Sequence, residues 1–219
     1  MRGVRVGLQY PELLRIQMRA ILRTATHGNV RIMFPMISSI NEWREVKSML
    51  DQEVGALGCD PIPAGMMVEV PSAAVLAEQF AKEVDFFSVG TNDLSQYTLA
   101  MDRGHPRLAA KIDGLNPAVL NLIGQTAQAG GKNNRMVGVC GGAAGEMQAV
   151  PILIGLGVTE LSVSLPVIPA VKALIRELNM ADCQTLARQA LLLGSAKEVR
   201  ALTPAPLAAQ LELSTSDTE

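Results

Sequence analysis

The segment Val89-Gly90-Thr91-Asn92-Asp93-Leu94-Ser95-Gln96-Tyr97-Thr98-Leu99-Ala100-Met101-Asp102-Arg103-Gly104 sets a carboxamide, carboxylates and a guanidinium directly after an apolar run. Together those groups suit a metal-bound phosphorylated anion: a carboxylate holds a hard divalent cation, an amide orients a phosphate oxygen, and an arginine clamps the remaining charge through paired hydrogen bonds. Glu69 sits inside another apolar run, where an unpaired carboxylate is costly and therefore points to a use. Cys140 closes a third run and is followed by Gly141-Gly142. A lone cysteine among apolar residues is ordinarily a small core residue, but two glycines after it permit close approach of a ligand. Arg31 opens a fourth run, and Arg2 lies near the start of the chain.

Residue type alone leaves several of these roles open. Asp93 and Thr91 are also helix-capping types, Arg31 is a residue that can reach solvent from a strand end, and Arg103 stands beside Asp102 as a local ion-pair partner. Met33, Met36, Met66, Met67 and Met136 read as core filler. His27 and His105 lie in turn-like contexts and read as surface residues.

The elements that must position these groups alternate. Short apolar runs predict strands over residues 30–36, 65–70, 84–90, 135–140 and 160–164, and longer segments of helical period predict helices over 11–26, 39–57, 71–80, 117–129, 145–156 and 166–178. Several helices begin with proline, whose missing N–H is harmless there. Two more helices are expected over 182–192 and 196–202. After Thr203 the composition turns to Pro, Ala, Ser and Thr with an acidic end, so the domain is expected over 1–203 and a disordered tail over 204–219.

Composition narrows the function classes. The chain has 219 residues, 48% of them hydrophobic, enough for a sizeable core. Its net charge of -2 argues against nucleic-acid binding. Cys59, Cys140 and Cys183 form no CxxC pair, which fits a reducing cytoplasm. No apolar run is long enough to cross a bilayer, so no membrane insertion is expected.

Strands alternating with helices are the pattern of a parallel α/β sheet, and the polar residues are expected to converge at one edge of it. An α/β barrel presents its catalytic groups at the carboxyl ends of its strands, and an open doubly wound sheet presents them at a crevice. The barrel is preferred, because neither a Gly-rich nucleotide fingerprint nor a GxxxxGK[ST] loop is present. Only five strands can be read where a closed barrel needs eight, so the expectation is an α/β fold of the (β/α)8 TIM-barrel family, as a partial barrel lacking its first strands.

Arg31-Ile32-Met33-Phe34-Pro35-Met36, Met67-Val68-Glu69-Val70-Pro71-Ser72-Ala73-Ala74, the Thr91-to-Gly104 segment and Val139-Cys140-Gly141-Gly142 resemble, in order and spacing, the C-terminal phosphoenolpyruvate-binding barrel of enzyme I of the bacterial sugar phosphotransferase system. The similarity runs to about Leu202. Cys-Gly-Gly is similar to fructose-type multiphosphoryl transfer proteins at least as much as to stand-alone enzyme I, where Cys-Gly-Glu is common. The resemblance implies a phosphotransferase that moves the phosphoryl group of phosphoenolpyruvate to a histidine, releasing pyruvate, with Mg²⁺ as cofactor. It implies Glu69 and Asp93 as metal ligands, Arg2, Arg31, Asn92 and Arg103 as substrate-binding residues, and Cys140 as the acid that protonates the enolate.

In the resembled proteins the phosphorylated histidine belongs to a separate N-terminal domain, so the acceptor is expected upstream or in trans, with the first barrel strands also preceding Met1. The resemblance further implies a cytoplasmic homodimer serving sugar uptake. Two alternatives remain at this point: a non-catalytic binding or assembly module derived from the barrel, and the barrel of a pyruvate phosphate dikinase or phosphoenolpyruvate synthase-like enzyme.

Overall fold

The computed structural model describes residues 1–202; the expected tail over 204–219 lies outside the described residues. Five strands, β1 (Ile32–Phe34), β2 (Ala64–Val68), β3 (Phe86–Gly90), β4 (Met136–Cys140) and β5 (Glu160–Leu161), form one all-parallel sheet in the order 1-2-3-4-5. That order separates the two architectures left open by the sequence. A doubly wound sheet reverses direction at a switch point, whereas strands added always on the same side, with crossovers of constant hand, put their helices on one face and curl the sheet into a barrel arc. The sheet therefore has a helix-covered face and an inner face, and β1 and β5 are open edges.

Side-chain alternation agrees. Ile32, Phe34, Met66, Val68, Phe87, Val89, Val137 and Val139 are buried beneath the helices, while Met33, Met67, Ser88 and Cys140 between them remain partly exposed on the inner face. The helices are α1 (Val4–Gln9), α2 (Pro11–Thr24), α3 (Ile40–Leu57), α4 (Pro71–Val75), α5 (Ala77–Phe80), α6 (Thr91–Thr98), α7 (Pro106–Ala109), α8 (Pro117–Lys132), α9 (Ala149–Gly155), α10 (Ile168–Glu177), α11 (Met180–Leu191) and α12 (Ala196–Arg200). In α3, Trp43, Val46, Met49, Leu50 and Glu53 recur at helical spacing and form its buried stripe. Trp43 meets Phe34 edge-to-face with ring centroids 6.2 Å apart, locking α3 onto β1. Ser39 caps the start of α3 by accepting from the Glu42 N–H, and Gly58 ends it in the left-handed conformation.

Three differences from the expected elements have local causes. β1 stops at Phe34 because Pro35 has no N–H and Met36 takes a positive φ of 59°. β5 keeps only two residues of the expected five, being paired on one side alone. The segment after β3, which lies outside the predicted strands and helices, is helix α6, so Asn92 and Asp93 lie in a first helical turn.

Candidate functional site at the strand carboxyl ends

The register places the chemistry. Val68 pairs with Val89 and Gly90 with Cys140, so one further residue along β2 brings Glu69 level with Gly90 and Cys140. Gly90 is the residue between them. A Cβ there would lie 3.0 Å from Glu69 Oε2 and 3.0 Å from Met67 Sδ, so a larger residue would press the Glu69 carboxylate and the Met67 thioether aside.

Glu69 is 4% exposed. Its Oε1 accepts from the Met36 N–H at 2.7 Å, a bond that the positive φ of Met36 makes available. Burial drives its carboxyl above the ordinary range; the Met36 N–H opposes this and the neighbouring Asp93 adds to it. Two carboxylates held this close favour a cation between them.

Asp93 is bracketed by arginines. Arg2 Nη2 donates to its Oδ2 at 3.2 Å and Arg103 Nη2 to its Oδ1 at 2.9 Å. Each guanidinium spends one corner of its fork on Asp93 and remains partly exposed, 53% for Arg2 and 39% for Arg103, with N–H groups to spare for an anion. Arg2 is delivered by its own neighbours. The Val4 N–H donates to the Pro35 carbonyl at 3.1 Å, and Gly3, with φ 61°, packs so close that a Cβ would sit 2.5 Å from Met36 Cβ. Arg5 fastens the same segment through Glu42 Oε1 and Ser38 Oγ.

On the other flank, Asn92 Oδ1 accepts from the Gly142 N–H at 3.0 Å. With its carbonyl so engaged, the carboxamide is left to offer its NH2 as a donor. Thr91 Oγ1 donates to the Cys140 carbonyl at 2.8 Å, tying the ends of β3 and β4. Gly141, at φ 83°, has no room for a Cβ, which would stand 2.6 Å from Thr91 Oγ1. The Ser88 hydroxyl lies 3.7 Å from Cys140 Sγ. Burial raises the Cys140 thiol above its ordinary value; the Ser88 hydroxyl offsets part of this and the Glu69 carboxylate reinforces it. The thiol is thus a protonated group at neutral pH.

Glu69, Asn92, Asp93, Cys140, Arg2 and Arg103 therefore meet at one end of the sheet. Arg31 does not. It precedes β1 at the amino end of the strands, where its Nη1 approaches Met136 Sδ at 3.1 Å and its Cζ lies 5.7 Å from the Phe86 ring centroid, at the first residues of β4 and β3. A strand length, roughly 13 Å for five residues, separates the two ends. The resemblance implies Arg31 as a substrate-binding residue, but Arg31 lies before its strand, and in a parallel sheet the opening residue and the closing residue face opposite rims.

The capping alternatives also resolve: the cap of α6 is Gly90, with no side-chain cap bond, while Thr91 serves the Cys140 carbonyl and Asp93 serves the arginines. The Met36 N–H, Ser88 and the spacing role of Gly90 join the site without being among the residues expected there. The Phe34-Pro35-Met36 step, where proline ends a strand, was the available signal for the first of these.

Among the described residues no group of three or more His, Cys, Asp or Glu gathers as a metal cage. Two carboxylates at adjacent strand ends, with the space that Gly90 leaves, fit instead a cation that keeps waters and substrate oxygens in its shell, as Mg²⁺ does.

The family described as PEP-utilising enzyme, PEP-binding domain, matches residues 1–180. A multiphosphoryl transfer protein of Rhodobacter capsulatus is 49% identical over 201 residues, covering 92% of this chain and 24% of that protein. A phosphoenolpyruvate-protein phosphotransferase of Bacillus subtilis (strain 168) is 44% identical over 204 residues, covering 90% of this chain and 36% of that protein. This chain thus spans between about a quarter and a third of the curated relatives it matches. A citrate lyase from Burkholderia xenovorans LB400 shares the fold, with a TM-score of 0.57 at 17% identity over 92% of this chain and 69% of that one. With the family match covering most of the chain and the strand-end groups in place, the chain belongs to the phosphoenolpyruvate-binding domain family of phosphoenolpyruvate-utilising enzymes.

Proposed function

We propose that this chain is the donor half of a phosphoenolpyruvate-protein phosphotransferase: it binds phosphoenolpyruvate with Mg²⁺ at the strand carboxyl ends and hands the phosphoryl group to a histidine elsewhere. The observation that carries the reading is the meeting of two carboxylates, two arginine forks and a free carboxamide NH2 at one rim. Glu69 and Asp93 hold the cation, which when bound neutralises charge on the transferring phosphoryl group. Arg103 and Arg2 take oxygens of the phosphate and carboxylate through the N–H groups not used on Asp93. Asn92, fixed by Gly142, donates to the phosphate. Once the phosphoryl group has left, the enolate needs a proton on its terminal carbon, and Cys140, kept protonated by burial, supplies it from the inner face.

The acceptor histidine belongs to another part of the protein or to a separate chain. His27 ends the short turn before β1, at the rim opposite the site, and His105 caps α7 by accepting from the Arg107 N–H at 3.3 Å. In the same reading the protein works in the cytoplasm, serves sugar uptake and pairs with a second copy; the described residues contain no helix long and apolar enough to cross a membrane. In this reading the described residues, 1–202, belong to one barrel unit.

Equilibrium dialysis with phosphoenolpyruvate carrying a radiolabelled phosphoryl group tests this. The folded chain should retain label only with Mg²⁺, and none should survive unfolding as phosphohistidine. Retention indifferent to Mg²⁺, or covalent label on His27 or His105, would contradict the reading.

A further inference from the structure

The last described helix reaches back to the site through one residue. Arg200, at the end of α12, donates from Nε to Asp113 Oδ2 at 2.8 Å, from Nη2 to Asp113 Oδ1 at 2.9 Å and to Glu146 Oε2 at 2.9 Å, and from Nη1 to Gln148 Oε1 at 2.9 Å. All three nitrogens of the guanidinium are thus engaged, with a bidentate fork on Asp113, the strongest geometry open to arginine. Its partners lie on two different loops. Asp113 belongs to the loop that follows Arg103 and α7, and its Oδ1 also accepts from the N–H of the fully buried Leu115. Glu146 and Gln148 belong to the loop that follows Cys140, Gly141 and Gly142.

These two loops wall a cavity of about 310 Å³ beside the strand ends, with Ile112 and Gly114 from the first loop, Gly142 and Glu146 from the second, and Asn92 of α6 and Arg103 completing the lining. α12 itself is a firm anchor. Val199 is fully buried in the core, and Ser195 with Glu198 forms a reciprocal cap at its start. Burial would raise the Asp113 carboxyl, but Arg200 and the Leu115 N–H outweigh it and hold it below the ordinary range.

We infer that Arg200 is a positioning residue: it clamps the loop after α7 to the Gly142 loop and so fixes, from the C-terminal helix, the width of the anion site. The consequence for ligand binding rests on the function proposed above, while the clamp stands on the geometry alone. Removing the guanidinium leaves the carboxylates of Asp113 and Glu146 facing each other without a counter-charge, and partly exposed carboxylates in that position splay apart. Lysine at the same place keeps the charge but makes a single point contact in place of the fork.

The test is hydrogen exchange on the whole chain, comparing wild type, Arg200→Gln and Arg200→Lys, with phosphoenolpyruvate affinity in Mg²⁺ measured on the same samples. Arg200→Gln should speed exchange at residues 106–116 and 141–148 by roughly tenfold, with Arg200→Lys intermediate and β2 and β3 unchanged. Affinity should fall by roughly tenfold in Arg200→Gln and partly recover in Arg200→Lys. Acceleration confined to residues 196–202, or spread evenly over the chain, overturns the clamp. Loosened loops with unchanged affinity overturn its role at the site. A wild type that binds no phosphoenolpyruvate contradicts the proposed function, and the exchange pattern then still decides the clamp. Should Arg200→Gln fail to fold, Arg200→Lys carries the same comparison with a smaller shift.

Discussion

Two glutamates are buried to nearly the same degree, Glu53 at 3% exposure and Glu69 at 4%, and they are used in opposite ways. Glu53, on α3, is met from α2 by Arg15 Nη1 at 2.6 Å and by Arg19 Nε at 2.5 Å, and these hydrogen bonds hold its carboxyl below the ordinary range. Among the described residues Glu69 makes no ion pair, and Arg2, which donates to Asp93, eases its charge only in part. Its described hydrogen bond is to one backbone N–H, its neighbour Asp93 is another carboxylate, and its carboxyl is pushed up. A buried charge that is fully paired joins two helices; a buried charge left short of partners and placed beside a like charge is a request for a cation. Burial alone does not mark a site. Incomplete satisfaction does.

That contrast can be broken by substitution. The largest effect on stability is expected at Glu53: Glu53→Gln removes the counter-charge and one acceptor oxygen from two arginines and should lower the melting temperature by several degrees, while phosphoenolpyruvate affinity stays within about twofold. A substantial loss of affinity would mean that the α2–α3 pair is not merely structural. The two rims supply the next test. Arg103→Ala should weaken phosphoenolpyruvate binding by roughly tenfold or more, and Arg31→Ala, a strand length away among Phe86 and Met136, should leave it within about twofold. Equal losses would put Arg31 back at the site.

The smallest effect sharpens the comparison most. Glu69→Gln keeps an acceptor for the Met36 N–H and removes the repulsion with Asp93, so it should raise the melting temperature at neutral pH by roughly one to three degrees. The pH dependence has opposite sign at the two glutamates. The contribution of Glu53, whose carboxyl lies below its ordinary 4.5, is present above that pH and is lost as pH falls through the folded-state value. Glu69, whose carboxyl lies above 4.5, contributes fully below that pH and loses its contribution as pH rises through its folded-state value. Melting curves from pH 3.5 to 8 should therefore show Glu53→Gln approaching wild type in acid and Glu69→Gln overtaking it as the pH rises.

Much of this was legible in the residues, for stated reasons. Five apolar runs each became a strand, because strands of a parallel sheet are covered by helices and must be apolar, and the groups closing β2, β3 and β4 had to share a rim. The strand order was not legible; only pairing could show that the sheet winds in one direction. Arg31 lies away from the site because the first residue of a parallel strand faces the rim opposite to the last. The Met36 amide escaped notice since no side chain announces it, and the Asn92–Gly142 bond joins residues 50 apart in the chain through backbone geometry. The helix of residues 91–98 was hidden by polar residues spent on contacts other than capping.

The central claim is that Glu69 and Asp93 hold a cation that phosphoenolpyruvate needs in order to bind. Isothermal titration of wild type, Glu53→Gln and Glu69→Gln with phosphoenolpyruvate, each with and without Mg²⁺, tests it most directly. Binding should require Mg²⁺ in wild type and Glu53→Gln and should fall by roughly a hundredfold or more in Glu69→Gln. Binding to Glu69→Gln at wild-type strength, or binding to wild type indifferent to Mg²⁺, would contradict the account.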